Sequence, residues 1–300
     1  MRLATFNLLH GVPVSGGMGE PERDAQGRPI GLPPVSDDSA LREAVALLDA
    51  DVLGMQEVDV HQPRSGGAHQ VRSAAEALGA AHWRFNPSVA GTPGVPGWVE
   101  ATDAHMAAVN PAPAVAAGST AAGMDDDSAS SGPLYGVGLV SRLPVAEWRT
   151  TRFDPAPFSL PLLIPAEPRP QWVRVHDEPR AVVAAIVEGE HGPFTVATAH
   201  LSFVPGYNIR QLRALRTWLA GLPRPLVVLG DFNLPGRLPA RITGWTPLLR
   251  QATYPSMKPR VQLDHVLVDG MSARQLASAA AQVRILPVSD HAAVTVDLDL

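Results

Sequence analysis

The chain has no cysteine, so disulfides and thiolate metal sites are impossible, and a bound metal must be held by carboxylates, amides or imidazoles. Lysine is nearly absent as well. Lys258 is the only one, and the basic side chains are otherwise all arginine. The formal net charge is -5 and no basic run is long enough to act as an arm, so tight electrostatic capture of DNA or RNA is not indicated, although a local arginine-lined groove stays open. Long apolar runs are also missing. Met1-Arg2-Leu3-Ala4-Thr5-Phe6-Asn7 enters a strand-like pattern at once, which argues against a signal peptide or transmembrane anchor and makes the cytoplasm the expected compartment.

What is present is an ordinary globular composition. With 300 residues, 45% hydrophobic content and a mean hydropathy of +0.03, the chain can bury an ample core, and disorder of the whole is excluded. We expect one α/β domain over residues 1–300, with Gly- and Pro-rich insertions at about 12–35, 91–132 and 153–173. The last holds six prolines from Pro155 to Pro170, which forbid a regular helix or central strand there. Its apolar residues either pack over the core or face a greasy substrate or membrane. Helical spacing marks Leu41 to Leu48, His69 to Leu78 and Ile209 to Leu219. Short apolar runs mark strands at Leu3, Val52, Tyr135, Ala181, Phe194, Leu226, Leu263 and Ala292.

Polar residues recur at the edges of these strands. Gly230-Asp231-Phe232-Asn233 closes the run Leu226-Val227-Val228-Leu229, and period-two geometry points Asp231 and Asn233 the same way. A carboxylate beside a carboxamide suits a hard cation and a phosphoryl oxygen, but Asp and Asn after a strand are also common turn-formers. Asn7, Glu57, His200, Asp264 and Asp290 with His291 complete six strand-edge segments of the residue types that metal-assisted phosphoester hydrolysis requires.

With these segments in order, Thr-Phe-Asn-Leu, Gln-Glu-Val-Asp, Thr-Ala-His-Leu-Ser, Gly-Asp-Phe-Asn, Leu-Asp-His-Val and Ser-Asp-His, the chain resembles the endonuclease/exonuclease/phosphatase superfamily of deoxyribonuclease I-like, exonuclease III-like and sphingomyelinase-like hydrolases. The resemblance implies a four-layer α/β/β/α sandwich of two mostly antiparallel sheets, with the site at one end of the sheets. It implies Mg²⁺ or Mn²⁺ held by Glu57 with Asn7 and Asp290 nearby, and His291 on the phosphoryl group with Asp264 fixing its tautomer. Asp231 then orients or deprotonates the attacking water, Asn233 donates to a non-bridging oxygen, and His200 serves as phosphate donor or leaving-group acid. Arg180 and Arg64 are candidate phosphate contacts. Val137 departs from the pattern, because the nuclease and lipase members often carry Asn there. The expected activity is a phosphodiesterase, and both nucleic acid and a small or lipid-like phosphodiester stay open as substrates. The expected form is a monomer with no stable protein partner and no transmembrane segment. A catalytically inactive binding module on the same fold is the alternative.

Overall fold

The computed structural model describes residues 1–14, 34–111, 132–164 and 171–300, with the backbone alone for 162–164 and 171–173. In chain order the first elements are β1 (Arg2–Asn7), α1 (Ser39–Leu48), β2 (Val52–Val60), α2 (Gln70–Leu78), β3 (His82–Ala90), β4 (Val99–Glu100) and α3 (Asp103–Val109). There follow β5 (Leu134–Ser141), β6 (Val145–Phe153), β7 (Ser159–Ile164), β8 (Gln171–His176), β9 (Arg180–Gly189), β10 (Gly192–His200) and α4 (Tyr207–Trp218). The last are β11 (Leu226–Asp231), α5 (Leu238–Thr243), β12 (Thr246–Pro247), β13 (Asp264–Asp269), α6 (Ala273–Ser278), β14 (Ala280–Arg284) and β15 (Ala293–Asp297).

Two sheets stack face to face. One runs β14-β15-β1-β2-β5-β3-β4 and the other β12-β13-β11-β10-β9-β6. Pairing is antiparallel except for β1 with β2 and β10 with β11. Leu3, Val52, Leu139, Val183, Val196, Val227 and Val294 fill the space between the sheets. The outer face of the first sheet is covered by α1 and α2. Leu41, Ala44, Val45 and Leu48 recur at helical spacing on α1 and are fully buried, each large one contributing roughly 1.5–3 kcal/mol. Leu212 and Leu215 of α4 cover the other sheet in the same way. The result is the α/β/β/α layering that the sequence led us to expect.

Local chemistry sets the element ends. Asp37 Oδ1 accepts the Ser39 amide at 2.9 Å at the start of α1, and the His69 imidazole accepts the Arg72 amide at the start of α2. Gly79, at φ 64, closes α2 by donating to the Ala75 and Glu76 carbonyls. Gly230 has φ 142, and a Cβ there would meet the Ala199 carbonyl oxygen on the neighbouring strand. Gly230→Ala is therefore expected to cost about 2–3 kcal/mol, read as a lower urea midpoint, and a variant as stable as the parent would show that the strands can move apart.

The insertions are more regular than expected. The 91–132 stretch carries β4 and α3, whose Thr102 and His105 form a reciprocal cap, before passing outside the described residues at 112–131. The 153–173 stretch carries β7 and the start of β8, paired in a separate two-stranded sheet with Pro161 opposite Arg174, while residues 165–170 lie outside the described residues. Six prolines still exclude a central strand. A two-stranded ribbon leaves each strand one unpaired edge, where a residue without an N–H loses no ladder bond. Of the 12–35 stretch, residues 15–33 lie outside the described residues.

Candidate active site

Strand register gathers the site at one end of the sandwich. In the second sheet His200 pairs with Asp231, and Asp231 pairs with Asp264, so three adjacent strands bring these side chains to one level. In the first sheet Asn7 ends β1, and its amide reaches across to both groups, donating to Glu57 Oε1 at 2.9 Å and Asp231 Oδ2 at 3.1 Å. Asp290 and His291 arrive on the turn before β15. Ser289 at φ 72 builds that turn, its hydroxyl donating to the Asn7 carbonyl at 2.6 Å and accepting the His291 amide at 3.0 Å.

Two placements differ from the sequence expectation in how they arise. Glu57 does not end its strand, because β2 continues to Val60. Gln56 and Glu57 together oppose the single residue Val137 in a β-bulge, with Glu57 at φ 54. Val137 itself packs between the sheets. Asn233 is not aligned with Asp231 by strand periodicity either. Asp231 Oδ1 accepts the Asn233 amide at 2.9 Å and Asn233 turns to φ 49, so the turn-forming and site-forming roles of this tetrad coincide. Left-handed conformations at non-glycine residues cost energy and concentrate at functional sites.

Asp231 is the hub. Its Oδ2 lies 3.8 Å from His200 Nε2 and 3.7 Å from His291 Nε2. Burial pushes its carboxyl up to about 6, against the pull of the His291 charge. The two imidazoles are driven apart. His291 Nδ1 stands 2.9 Å from Asp264 Oδ2, and the charges of Asp264 and Asp231 overcome its burial to hold it well above the ordinary range as a cation. His200 is pushed well below that range by burial and then by Arg180, so it is neutral. Donors face both nitrogens of His200, Arg180 Nη1 at 3.4 Å from Nδ1 and Asn233 Nδ2 at 3.3 Å from Nε2. The charged guanidinium, the stronger of the two, favours Nδ1 as the acceptor and the proton on Nε2. Asn233 Nδ2 also donates to the Leu201 carbonyl at 2.9 Å.

The two arginines are less open to a ligand than expected. Arg180 is only 4% exposed, paired with Asp177 at 2.9 Å and Glu178 at 3.2 Å behind His200. Arg64 clasps buried Asp59 through two nitrogens at 2.9 and 2.7 Å and stacks over Tyr135 at 5.6 Å. Both guanidiniums are held by carboxylates that burial would otherwise destabilise.

The donor set suits a hard divalent cation. Burial, and then the neighbouring Asp290 charge, push the half-buried Glu57 up to about 7, and burial also raises Asp290. Neither has an ion-pair partner among the described residues, so a cation between them would relieve both strains. Asp231, Asp264 and His291 form a second group, each offering a ligand atom within 4.8 Å of the others. A cation there would compete with the proton that Asp264 and Asp231 hold on His291.

The sequence reading missed several supporting residues. Buried Gln56 donates to Thr198 Oγ1 at 2.8 Å and bridges the two sheets beneath the site. Tyr254 packs its ring 4.8 Å from that of His291. Asp177 also accepts the Ser202 hydroxyl at 2.7 Å. A signal existed for Asp177 and Glu178, an acidic pair just before Arg180, but none marks Tyr254.

Two stacked sheets between helices, with acids and imidazoles at one end, define a four-layer phosphoester-hydrolase fold. The chain belongs to the endonuclease/exonuclease/phosphatase family, whose model matches residues 4–291. Among solved structures it is similar to an endonuclease/exonuclease/phosphatase from Beutenbergia cavernae, at 19% identity and a TM-score of 0.58 over 100% of this chain and 71% of that one. A family protein from Leptotrichia buccalis aligns at 13% identity and a TM-score of 0.56, covering 100% of both chains. An endonuclease/exonuclease/phosphatase from Bacteroides vulgatus aligns at 14% and 0.53, over 100% of this chain and 98% of the other. No curated protein sequence matches. At these identities the structural likeness speaks to the fold. No helix among the described residues is long and apolar enough to cross a membrane.

Proposed function

We propose that the chain is a Mg²⁺- or Mn²⁺-dependent phosphodiesterase, acting as a single catalytic domain over residues 1–300. The observation that carries this reading is Asp231 Oδ2 standing between one neutral and one cationic imidazole, with Asn7 linking it to the crowded Glu57 carboxylate. Pairs of groups pushed apart in acidity mark acid and base roles. Glu57, Asn7 and Asp290 hold the cation, which when bound polarises the phosphoryl oxygen and offsets charge developing on it. Asp231 orients the attacking water and takes its proton. His291, fixed by Asp264, holds a non-bridging oxygen as a charged donor, and Asn233 supplies a second donor. His200 gives its Nε2 proton to the leaving oxygen. Arg180 acts through His200, setting its tautomer.

The test is hydrolysis of bis(p-nitrophenyl) phosphate and plasmid DNA, each with Mg²⁺, Mn²⁺ or EDTA. Cleavage that requires the metal is expected. Turnover that persists in EDTA would overturn the metal assignment, and absence of turnover with no bound metal would favour the binding-module alternative.

A further inference from the structure

Both nitrogens of His291 face carboxylates, Nδ1 at 2.9 Å from Asp264 Oδ2 and Nε2 at 3.7 Å from Asp231 Oδ2. A hydrogen bond to a ring nitrogen is made in the plane of the ring. Two contacts at the ring's edge therefore leave it free to rock about the line that joins them, and the N–H directions swing with it. A group lying against the face of the imidazole is needed to stop that motion. Tyr254 is such a group, with its ring centroid 4.8 Å from that of His291 and the two planes inclined by 46°.

The backbone holds Tyr254 in place over the pair. Thr253 Oγ1 accepts the Asp264 amide at 3.2 Å, and the Thr253 carbonyl accepts the Ala292 amide at 2.8 Å. Beyond Tyr254, Ser256 donates through its amide to the Asp290 carbonyl at 2.6 Å and through its hydroxyl to the Ser289 carbonyl at 2.8 Å. Tyr254 itself exchanges both backbone hydrogen bonds with Val261, each at 3.0 Å. The segment 253–261 is thus a strap fastened on either side of Tyr254 to the residues that carry Asp264 and His291. Thr253 and Ser256 are buried under it, whereas Tyr254 is half-buried and packs against none of the apolar clusters of the core. Its ring is spent on His291 and not on the interior. Burial, and then the charges of Asp290, Glu57 and Asp231, raise the phenol above its ordinary range, so the ring stays neutral. It presents a π face to the imidazolium at a separation within the roughly 6 Å over which a cation is attracted to an aromatic ring.

We propose that Tyr254 is a positioning residue for the hydrolysis, its ring holding the His291 imidazole at the tilt that aims Nε2 into the site while Asp264 holds Nδ1. The ring and not the hydroxyl makes the contact, so the role survives replacement by phenylalanine. Because Tyr254 acts through His291, it bears on kcat and not on substrate affinity. The effect on turnover rests on the phosphodiesterase reading, whereas the hold on His291 does not.

The experiment compares Tyr254→Phe and Tyr254→Leu with the parent, all with Mg²⁺, by two readouts. One is kcat and KM for bis(p-nitrophenyl) phosphate. The other is the order of the His291 ring, from ¹³C relaxation of its Cε1–H group, assigned by the absence of that signal from His291→Ala. Tyr254→Leu should lower kcat about tenfold, the scale of one cation–ring contact, at unchanged KM, and should loosen the ring. Tyr254→Phe should keep the parent's values in both. Adding Tyr254→Leu to His291→Ala should cost nothing further. A leucine variant that matches the parent in both readouts overturns the proposal. So does a phenylalanine variant as impaired as the leucine one, which would give the role to the hydroxyl, and so does a raised KM at unchanged kcat, which would make Tyr254 a substrate contact. An equal loss in the His291→Ala background overturns it as well. A parent that turns over no diester removes the phosphodiesterase reading alone. The ring order then decides the hold on His291, supported by loosening in Tyr254→Leu and overturned by its absence.

Discussion

His291→Ala is expected to lower kcat for a phosphodiester about 10³-fold, within the range of a positioned acid or charged donor. The imidazole joins two carboxylates, with Nδ1 2.9 Å from Asp264 and Nε2 3.7 Å from Asp231. Asp264→Asn should give much of the same loss, and the double variant little more, because the pair acts as a unit. The pH profile supplies a sharper check. Asp231, pushed up to about 6, must lose its proton to serve as base, so the rate should rise with pH through about 6. The His291 cation holds that value down, so removing it should move the limb to higher pH. An unshifted limb in His291→Ala would mean that another group titrates.

Glu57→Gln should lower turnover roughly 10³-fold, as several kcal/mol of charge stabilisation is lost with the cation. Its effect on stability should have the opposite sign. Without metal, burial makes Glu57 bind its proton more tightly when folded, at about 7, than at the ordinary glutamate value of 4.5. Stability from this group is full below about pH 4.5 and declines as pH rises through about 7, by on the order of 2–3 kcal/mol. Metal-free Glu57→Gln at pH 8 should therefore unfold at higher urea than the parent. Added Mg²⁺ or Mn²⁺ should raise the parent's midpoint and leave that of the variant nearly unchanged. A metal-free variant less stable than the parent would show that Glu57 is not under strain.

The layering was legible only through the family resemblance, since the strand and helix pattern is compatible with it without dictating it. The strand-edge residues were legible because they recur beside apolar runs that strand register then sets side by side. What stayed hidden depends on local departures from regularity. The bulge at Gln56 and Glu57 leaves no compositional mark, and a strand read by alternation ends too early there. Asn233 lies beyond the end of β11, so period-two alternation does not orient it; the Asp231 turn does. Arg64 and Arg180 looked like free cations because a sequence does not show that Asp59, Asp177 and Glu178 enclose them. The β7-β8 ribbon was obscured by prolines that only an interior strand would exclude.

The hydrogen bond from Ser289 to the Asn7 carbonyl joins positions 282 residues apart. During synthesis, the Asn7 edge therefore waits while 282 further residues are added before its partner is made. A nascent or prematurely terminated chain can assemble much of the second sheet and still lack the Asp290-His291 turn. A chain that stops short of Ser289 therefore lacks the turn that brings Asp290 and His291 to the other strand-edge residues.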